Sequence, residues 1–218
     1  MKIKTVDLYE VDTPYLIRLF NQSEYPWEIL SKINCYIKEL LLCGIDGFTM
    51  LKEGVLVGKG VKIHSSAVIE APAIIGNGTE IRPNAYLRGS VITGENCVIG
   101  NSTEIKNSVL LNGVQVPHYN YVGDSVLGNY AHLGAGAVCS NLKSDKKEVV
   151  IHGEEDVTTG IRKIGGILAD YADIGCGCVI NPGTVVGKKT TVYPLTSVRG
   201  VIQGGMIVKS MNNIIKRV

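Results

Sequence analysis

At 218 residues the chain is long enough for one large domain, or a main domain with a small appendage, around a sizeable core. It is 45% hydrophobic and 19% charged with a net charge of +2, which gives no basic patch of the kind nucleic acid or an anionic membrane requires. There is no apolar run of about 18 residues, and Met1-Lys-Ile-Lys4 opens no signal-peptide core, so a soluble cytoplasmic protein is expected.

Six cysteines (Cys35, Cys43, Cys97, Cys139, Cys176 and Cys178) read as reduced structural thiols. Cys176-Gly-Cys178 has neither the spacing nor the second pair of a zinc site.

Residues 1–54 form the N-terminal segment. The apolar run 15–20 after Pro14 fits either a strand or a short helix. A helix is predicted to open at Tyr25-Pro-Trp-Glu28, with Ser23 as its cap and Pro26 in its first turn. Ile29, Leu30, Ile33, Ile37, Leu40 and Leu41 recur at helical spacing, and Gly44 stops it. Its apolar stripe needs a surface to cover, and a lid over one end of the next domain is the expected role.

From about Leu56 the period becomes six. Every sixth residue from Ile63 reads Ile69, Ile75, Ile81, Leu87, Thr93, Ile99, Ile105 and Leu111. Small or β-branched residues hold a second register four positions on: Ala67, Ala73, Thr79, Ala85, Val91, Cys97, Thr103 and Val109. A second ladder runs Leu168, Ile174, Ile180, Val186, Val192 and Val198, with Ala172, Cys178, Thr184, Thr190 and Thr196 in the small register.

Period six fits neither a helix nor a plain alternating strand. Three short sides joined by turns make a coil of about 18 residues, and coils stacked roughly 4.8 Å apart pair their backbones above and below. Gly76, Gly100 and Gly187 follow aliphatic rungs and read as turn residues needing positive φ. The frame slips by five from Leu111 to Val116 and from Val122 to Leu127. Residues 140–166 leave the ladder as a charged excursion expected to project from one face. The solenoid is placed at 55–208, and 209–218 is read as a short C-terminal helix. The whole pattern resembles the hexapeptide-repeat proteins, which implies a mainly β, left-handed parallel β-helix.

The chemistry-bearing residues sit at the frame slip. His118, two residues after the inward Val116, is expected to face outward, where an imidazole can act as a base near neutral pH. Asn120 and Tyr121 adjoin it. Glu104 and Lys106 flank the inward Ile105, Asn141 opens the excursion and Lys147 rides on it. Each of these alone reads as a solvated side chain.

Together, His118-Tyr-Asn-Tyr-Val-Gly-Asp124, Leu133-Gly-Ala-Gly136 and Cys139-Ser-Asn141 resemble the acetyltransferase half of the bifunctional N-acetylglucosamine-1-phosphate uridyltransferases, bacterial and archaeal. Tyr25-Pro-Trp-Glu28 resembles the linker helix before that half. The resemblance implies a homotrimer, acting on small molecules, that moves acetyl from acetyl-CoA to the amine of a hexosamine 1-phosphate. Its sites would lie between subunits and need no metal for acyl transfer.

By position, His118 matches the general base, Glu104 the carboxylate that orients it and Asn141 an asparagine at the acetyl-transfer centre. Arg88 and Lys106 match the basic residues on the sugar phosphate, Tyr121 a substrate contact and Lys147 the lysine of the projecting loop. Ala135 and Cys176 match positions along acetyl-CoA. The chemistry is coherent, because an ammonium must lose a proton before its nitrogen attacks a thioester, while amide and phenol donors steady the oxyanion.

Two departures stand out. His132 occupies a substrate-binding position where the bacterial enzymes carry asparagine, which leaves the hexosamine open. The first 50 residues are too short for a doubly wound nucleotidyltransferase domain and lack its glycine-rich loop, so uridyltransferase activity is not expected. Two other readings remain: a non-catalytic trimeric partner of a separate nucleotidyltransferase, or a zinc hydratase of the same fold. For the latter, His64, His118, His132 and His152 are widely spaced.

Overall fold

The period-six rungs become short parallel strands in a computed structural model that describes residues 3–217. Met1, Lys2 and Val218 lie outside the described residues, and with them the start of the leader reading and the end of the expected terminal helix. The strands stack into three faces taken in turn by each coil. The first face runs from Val55–Val57 through Ser108–Leu110 to Val201–Ile202, the second from Lys62–Ile63 through Gln115–His118 to Met206–Ser210, and the third from Val68–Glu70 through Tyr121–Gly123 to Ser197–Val198. The chain is thus mainly β and winds as the three-sided parallel β-helix expected of a hexapeptide repeat.

Ile69, Ile75, Ile81, Leu87, Ile99 and Ile105 stack along the axis, with Cys97 and Cys178 in the small register. Each buried Ile or Leu contributes about 1.5–3 kcal/mol, so this column is a large source of stability. Burial pushes the Cys97 and Cys139 thiols up to about 12, which keeps them inert.

One frame slip falls earlier than the sequence suggests. Leu110, not Leu111, enters the core, pairing in register with Thr93 and Leu127. Ser108 takes the small inward position opposite Val91, its hydroxyl donating to the Lys106 carbonyl at 2.8 Å. Leu111 and Val109 consequently face outward into a second apolar layer.

The three glycines read as positive-φ turns are not in that region; the left-handed corners fall at other positions, among them Gly78, Ser102 and Lys189. They are glycines because coils touch there: a Cβ on Gly100 would overlap the Pro117 carbonyl of the next coil, and one on Gly76 the Gly94 carbonyl.

The N-terminal helices cover a side of the solenoid rather than one end. They are α1 (Thr5–Leu8), α2 (Pro14–Asn21) and α3 (Glu28–Cys43). Run 15–20 is therefore helical, with Pro14 at the first position and Tyr15, Leu16, Leu19 and Phe20 buried on one side. Ser23 does not cap α3; its hydroxyl donates to the Leu19 carbonyl at 3.0 Å, and Trp27 holds the cap position. Gly44 ends α3 as expected, at φ 77 with its N–H on the Leu40 carbonyl. Leu16, Leu19, Ile29, Ile33 and Ile37 pack on Ile74, Ile92, Val109, Val126, Ile167 and Val185, the outward rungs of the first face. A parallel sheet buried on both sides reads as continuous apolar triplets, as Ala73–Ile75 does.

The excursion joins the same layer. Its hairpin pairs Val150–His152 with Asp156–Thr158, and Val149, Ile151 and Ile164 are buried with the helices, so much of it covers rather than projects. The exposed turn 144–148 carries Lys147. The C-terminal segment is a hairpin, not a helix: Met206–Ser210 pairs antiparallel with Asn213–Lys216. Met211 and Asn212 form its turn, and a free sheet edge offers the β-branched Ile214 and Ile215 a ladder that a ten-residue helix could not match. No helix among the described residues is long and apolar enough to cross a membrane.

Candidate active site

At the trailing edge of the third face, one register position repeats from coil to coil as Glu70, Arg88, Lys106, Gly123, Ser140, Asn181 and Arg199. Glycine interrupts this polar column for a reason. A Cβ on Gly123 would lie 2.6 Å from the Tyr121 hydroxyl and 2.7 Å from Asn141 Nδ2, so those two side chains fill its place.

The next residue, Asp124, ties the group together. It is buried, with φ 46. Its Oδ2 accepts from Lys106 Nζ at 3.2 Å and from Asn141 Nδ2, and its Oδ1 accepts from Asn107 Nδ2 at 2.8 Å. Sequence reasoning did not single out Asp124, because its partners are a full coil away in each direction. One coil up, Arg88 Nη1 donates to Glu104 Oε1 at 2.6 Å, which holds the guanidinium above its ordinary pKa. Burial, then the charges of Glu104 and Asp124, push the Tyr121 phenol up, so it remains a protonated donor at neutral pH.

The leading edge of the third face, at the corner where the second-face strands end, is different. His118, Ala135 and Cys176 stack on successive coils, all exposed, with the Gly136 N–H on the His118 carbonyl at 3.0 Å and the Gly177 N–H on the Ala135 carbonyl at 2.9 Å. The left-handed residues Tyr119, Gly136 and Gly177 turn the corner after them. Buried Asn120 locks this corner: its Oδ1 accepts from the His118 N–H at 3.1 Å and its Nδ2 donates to the Gly134 carbonyl at 2.8 Å. Among the described residues the His118 ring has no hydrogen-bond partner. The expected Glu104–His118 contact is not made within the chain, where Glu104 Oε1 accepts from Arg88.

The structure therefore gathers Arg88, Glu104, Lys106, Tyr121 and Asn141 around Asp124 and sets His118, Ala135 and Cys176 on the opposite edge. The strand between the edges, Tyr121–Gly123, alone spans about 10 Å at roughly 3.3 Å per residue. Two expected residues join neither group. His132 lies on the second face with its Nδ1 2.9 Å from Asp173 Oδ1, and Lys147 is exposed on the excursion, its N–H on Asp145 Oδ1 at 3.0 Å. Among the described residues, no three His, Cys, Asp or Glu side chains converge as a metal site.

Residues 69–161 match a family model described as the GMPPB C-terminal domain. The bifunctional sugar-1-phosphate nucleotidylyltransferase/acetyltransferase of Sulfurisphaera tokodaii is 34% identical over 151 residues, 63% of this chain and 38% of that protein. The bifunctional protein GlmU of Methanococcus vannielii is 31% identical over 193 residues, 87% of this chain and 46% of that protein. The chain spans less than half the length of these relatives. Among solved structures, the UDP-N-acetylglucosamine acyltransferase of Francisella novicida overlaps 75% of this chain and 67% of its own at 17% identity and a TM-score of 0.49, a likeness too slight to bear on function.

Proposed function

We propose, on the premise that the chain resembles the C-terminal acetyltransferase domain of the bifunctional N-acetylglucosamine-1-phosphate uridyltransferases, that it is a CoA-dependent acyltransferase. It moves acetyl from acetyl-CoA to the amine of a hexosamine 1-phosphate. The observation that carries this reading is the exposed, unpartnered imidazole of His118 at the head of a strip bearing only the small side chains of Ala135 and Cys176. Such a strip leaves room for a thin thioester-bearing arm to lie beside a base.

In this reaction the acceptor ammonium first gives one proton to solvent, and His118 takes a second from the neutral amine as its nitrogen bonds to the thioester carbonyl carbon. The C–S bond then breaks, and the leaving thiolate takes up the proton. Asn141 gives one N–H to Asp124 and keeps the other for the oxyanion, with the Tyr121 hydroxyl as a further donor. Arg88 retains donors beyond the one engaged by Glu104, and Lys106 offers a point charge, which suits a sugar phosphate.

The two edges of one chain are too far apart to act on one amine. The site forms where the leading edge of one protomer meets the trailing edge of another, as a homotrimer allows. Glu104 orients a neighbour's imidazole in that arrangement, and Lys147 reaches the ligand from the excursion.

Thiol release from acetyl-CoA in the presence of glucosamine 1-phosphate tests the reading. His118→Ala is expected to slow it by about 10²–10⁴-fold with the unfolding midpoint unchanged. Turnover at the wild-type rate in that variant would remove His118 from the chemistry.

A further inference from the structure

Below Asn141 the trailing edge continues into a cleft of about 440 Å³ between the excursion and the last coils. Its lining includes Ser140, Lys143, Asp145, His152, Asn181 and Arg199. Ser140, Asn181 and Arg199 hold the same register position on three successive coils, so this is the lower end of the polar column that bears Arg88 and Lys106. The cations differ in how they are held. Arg88 and Lys106 each face a carboxylate at 2.6 and 3.2 Å. Arg199 has no ion-pair partner among the described residues. Lys143 is steadied by Asp145 Oδ2 at 3.3 Å and the Glu148 carbonyl at 3.2 Å. Asn181 is fixed against its own coils, its Nδ2 donating to Ser197 Oγ and the Val198 carbonyl.

We infer that this cleft binds a diphosphate group, with Arg199 as its planar donor fork and Lys143 as a second cation. The spacing decides which phosphate is meant. Arg199 lies two coils from Ser140, beside Asn141, or roughly 10 Å at about 4.8 Å per coil. The phosphate of a sugar 1-phosphate sits on the carbon next to the amine-bearing carbon and reaches about one coil, the level of Lys106. A phosphate two coils below Asn141 belongs to a longer ligand, either the diphosphate of a nucleotide-linked amino sugar or that of CoA. The inference rests on the acyl-transfer reading for the choice of a diphosphate over a sugar 1-phosphate and for its bearer, while the anion site itself rests on Arg199 and Lys143.

Inorganic pyrophosphate titrated calorimetrically into the full chain tests it without turnover. Binding is expected to be tighter than that of orthophosphate and to weaken at least tenfold in Arg199→Ala, an exposed position whose loss leaves the fold intact, with partial recovery in Arg199→Lys. Displacement of pyrophosphate by UDP but not by CoA identifies the acceptor as the source, and the reverse identifies the donor. Absence of pyrophosphate binding, undiminished binding in Arg199→Ala, or displacement by neither ligand overturns the inference. Loss of thiol release with this binding intact would instead count against the acyl-transfer reading.

Discussion

Asp124 holds more of the candidate site than any residue chosen from sequence. Its carboxylate is the acceptor for Lys106, Asn107 and Asn141 at once, so Asp124→Ala leaves a cation and two amide donors without their partner. Breaking a fully buried pair costs about 3–5 kcal/mol; Lys106 is a quarter exposed, so about 1–3 kcal/mol is expected from urea unfolding. Asp124→Asn should recover only part of that stability, through its one remaining acceptor oxygen, and remain slow in thiol release, because its amide turns donors toward donors. Equal recovery of both would make Asp124 purely structural. The residue was hidden in the sequence because Val122-Gly-Asp-Ser125 reads locally as a turn. Written out at the coil pitch, Arg88, Lys106, Gly123 and Ser140 fall into one column, and that signal was available; Asn181 and Arg199 join it only through the register across the excursion. The exposure of His118 was legible from its place after the rung; the capture of Glu104 by Arg88 was not, since it depends on rotamers across two coils.

Among the elements, the join between the helical layer and the solenoid turns on Asp170. This buried carboxylate accepts from the Glu10 N–H at 2.9 Å and the Asn129 N–H at 2.7 Å, with Lys188 Nζ 3.6 Å away. Burial outweighs these partners and raises its pKa. The native state therefore holds this proton to higher pH than the unfolded chain, and the Asp170 contribution to stability falls as pH rises from about 4 through the raised native value, then levels. Glu10, whose carboxyl is lowered by Lys188, slopes the other way, so the readout is the difference between wild type and Asp170→Asn in urea midpoints from about pH 3.5 to 7. A difference that does not change with pH would rule out a raised native pKa. The ladders themselves were legible because period six admits few folds. The covering of the first face was also written in the sequence, in triplets such as Ala73-Ile-Ile75 and Thr184-Val-Val186. Two leucines side by side at 110 and 111 satisfy the rung equally, so the slip needed the register of Ser108. The last strand was misread because a short apolar segment takes its form from the edge it meets.

For the whole molecule, the proposed acyl-transfer reading makes the site a property of an assembly, because the two edges are separate. Sedimentation is expected to give a particle of three chains, retained in His118→Ala. Mixed particles formed from His118→Ala and Asn141→Ala chains should regain thiol release, since some junctions then pair an intact leading edge with an intact trailing edge. Failure to regain activity would place both residues in one chain's own site and overturn the shared arrangement.

The helical layer also decides whether the repeat can be lifted out as a module. Ile74, Ile92, Val109, Val126, Ile167 and Val185 form a six-rung greasy stripe that α2, α3 and the excursion hairpin keep dry, and an apolar patch of that length left wet invites association. A solenoid cut free at Phe48 would keep its axial column and lose its solubility, so any transplant of this scaffold into another protein must carry the helices along as part of it.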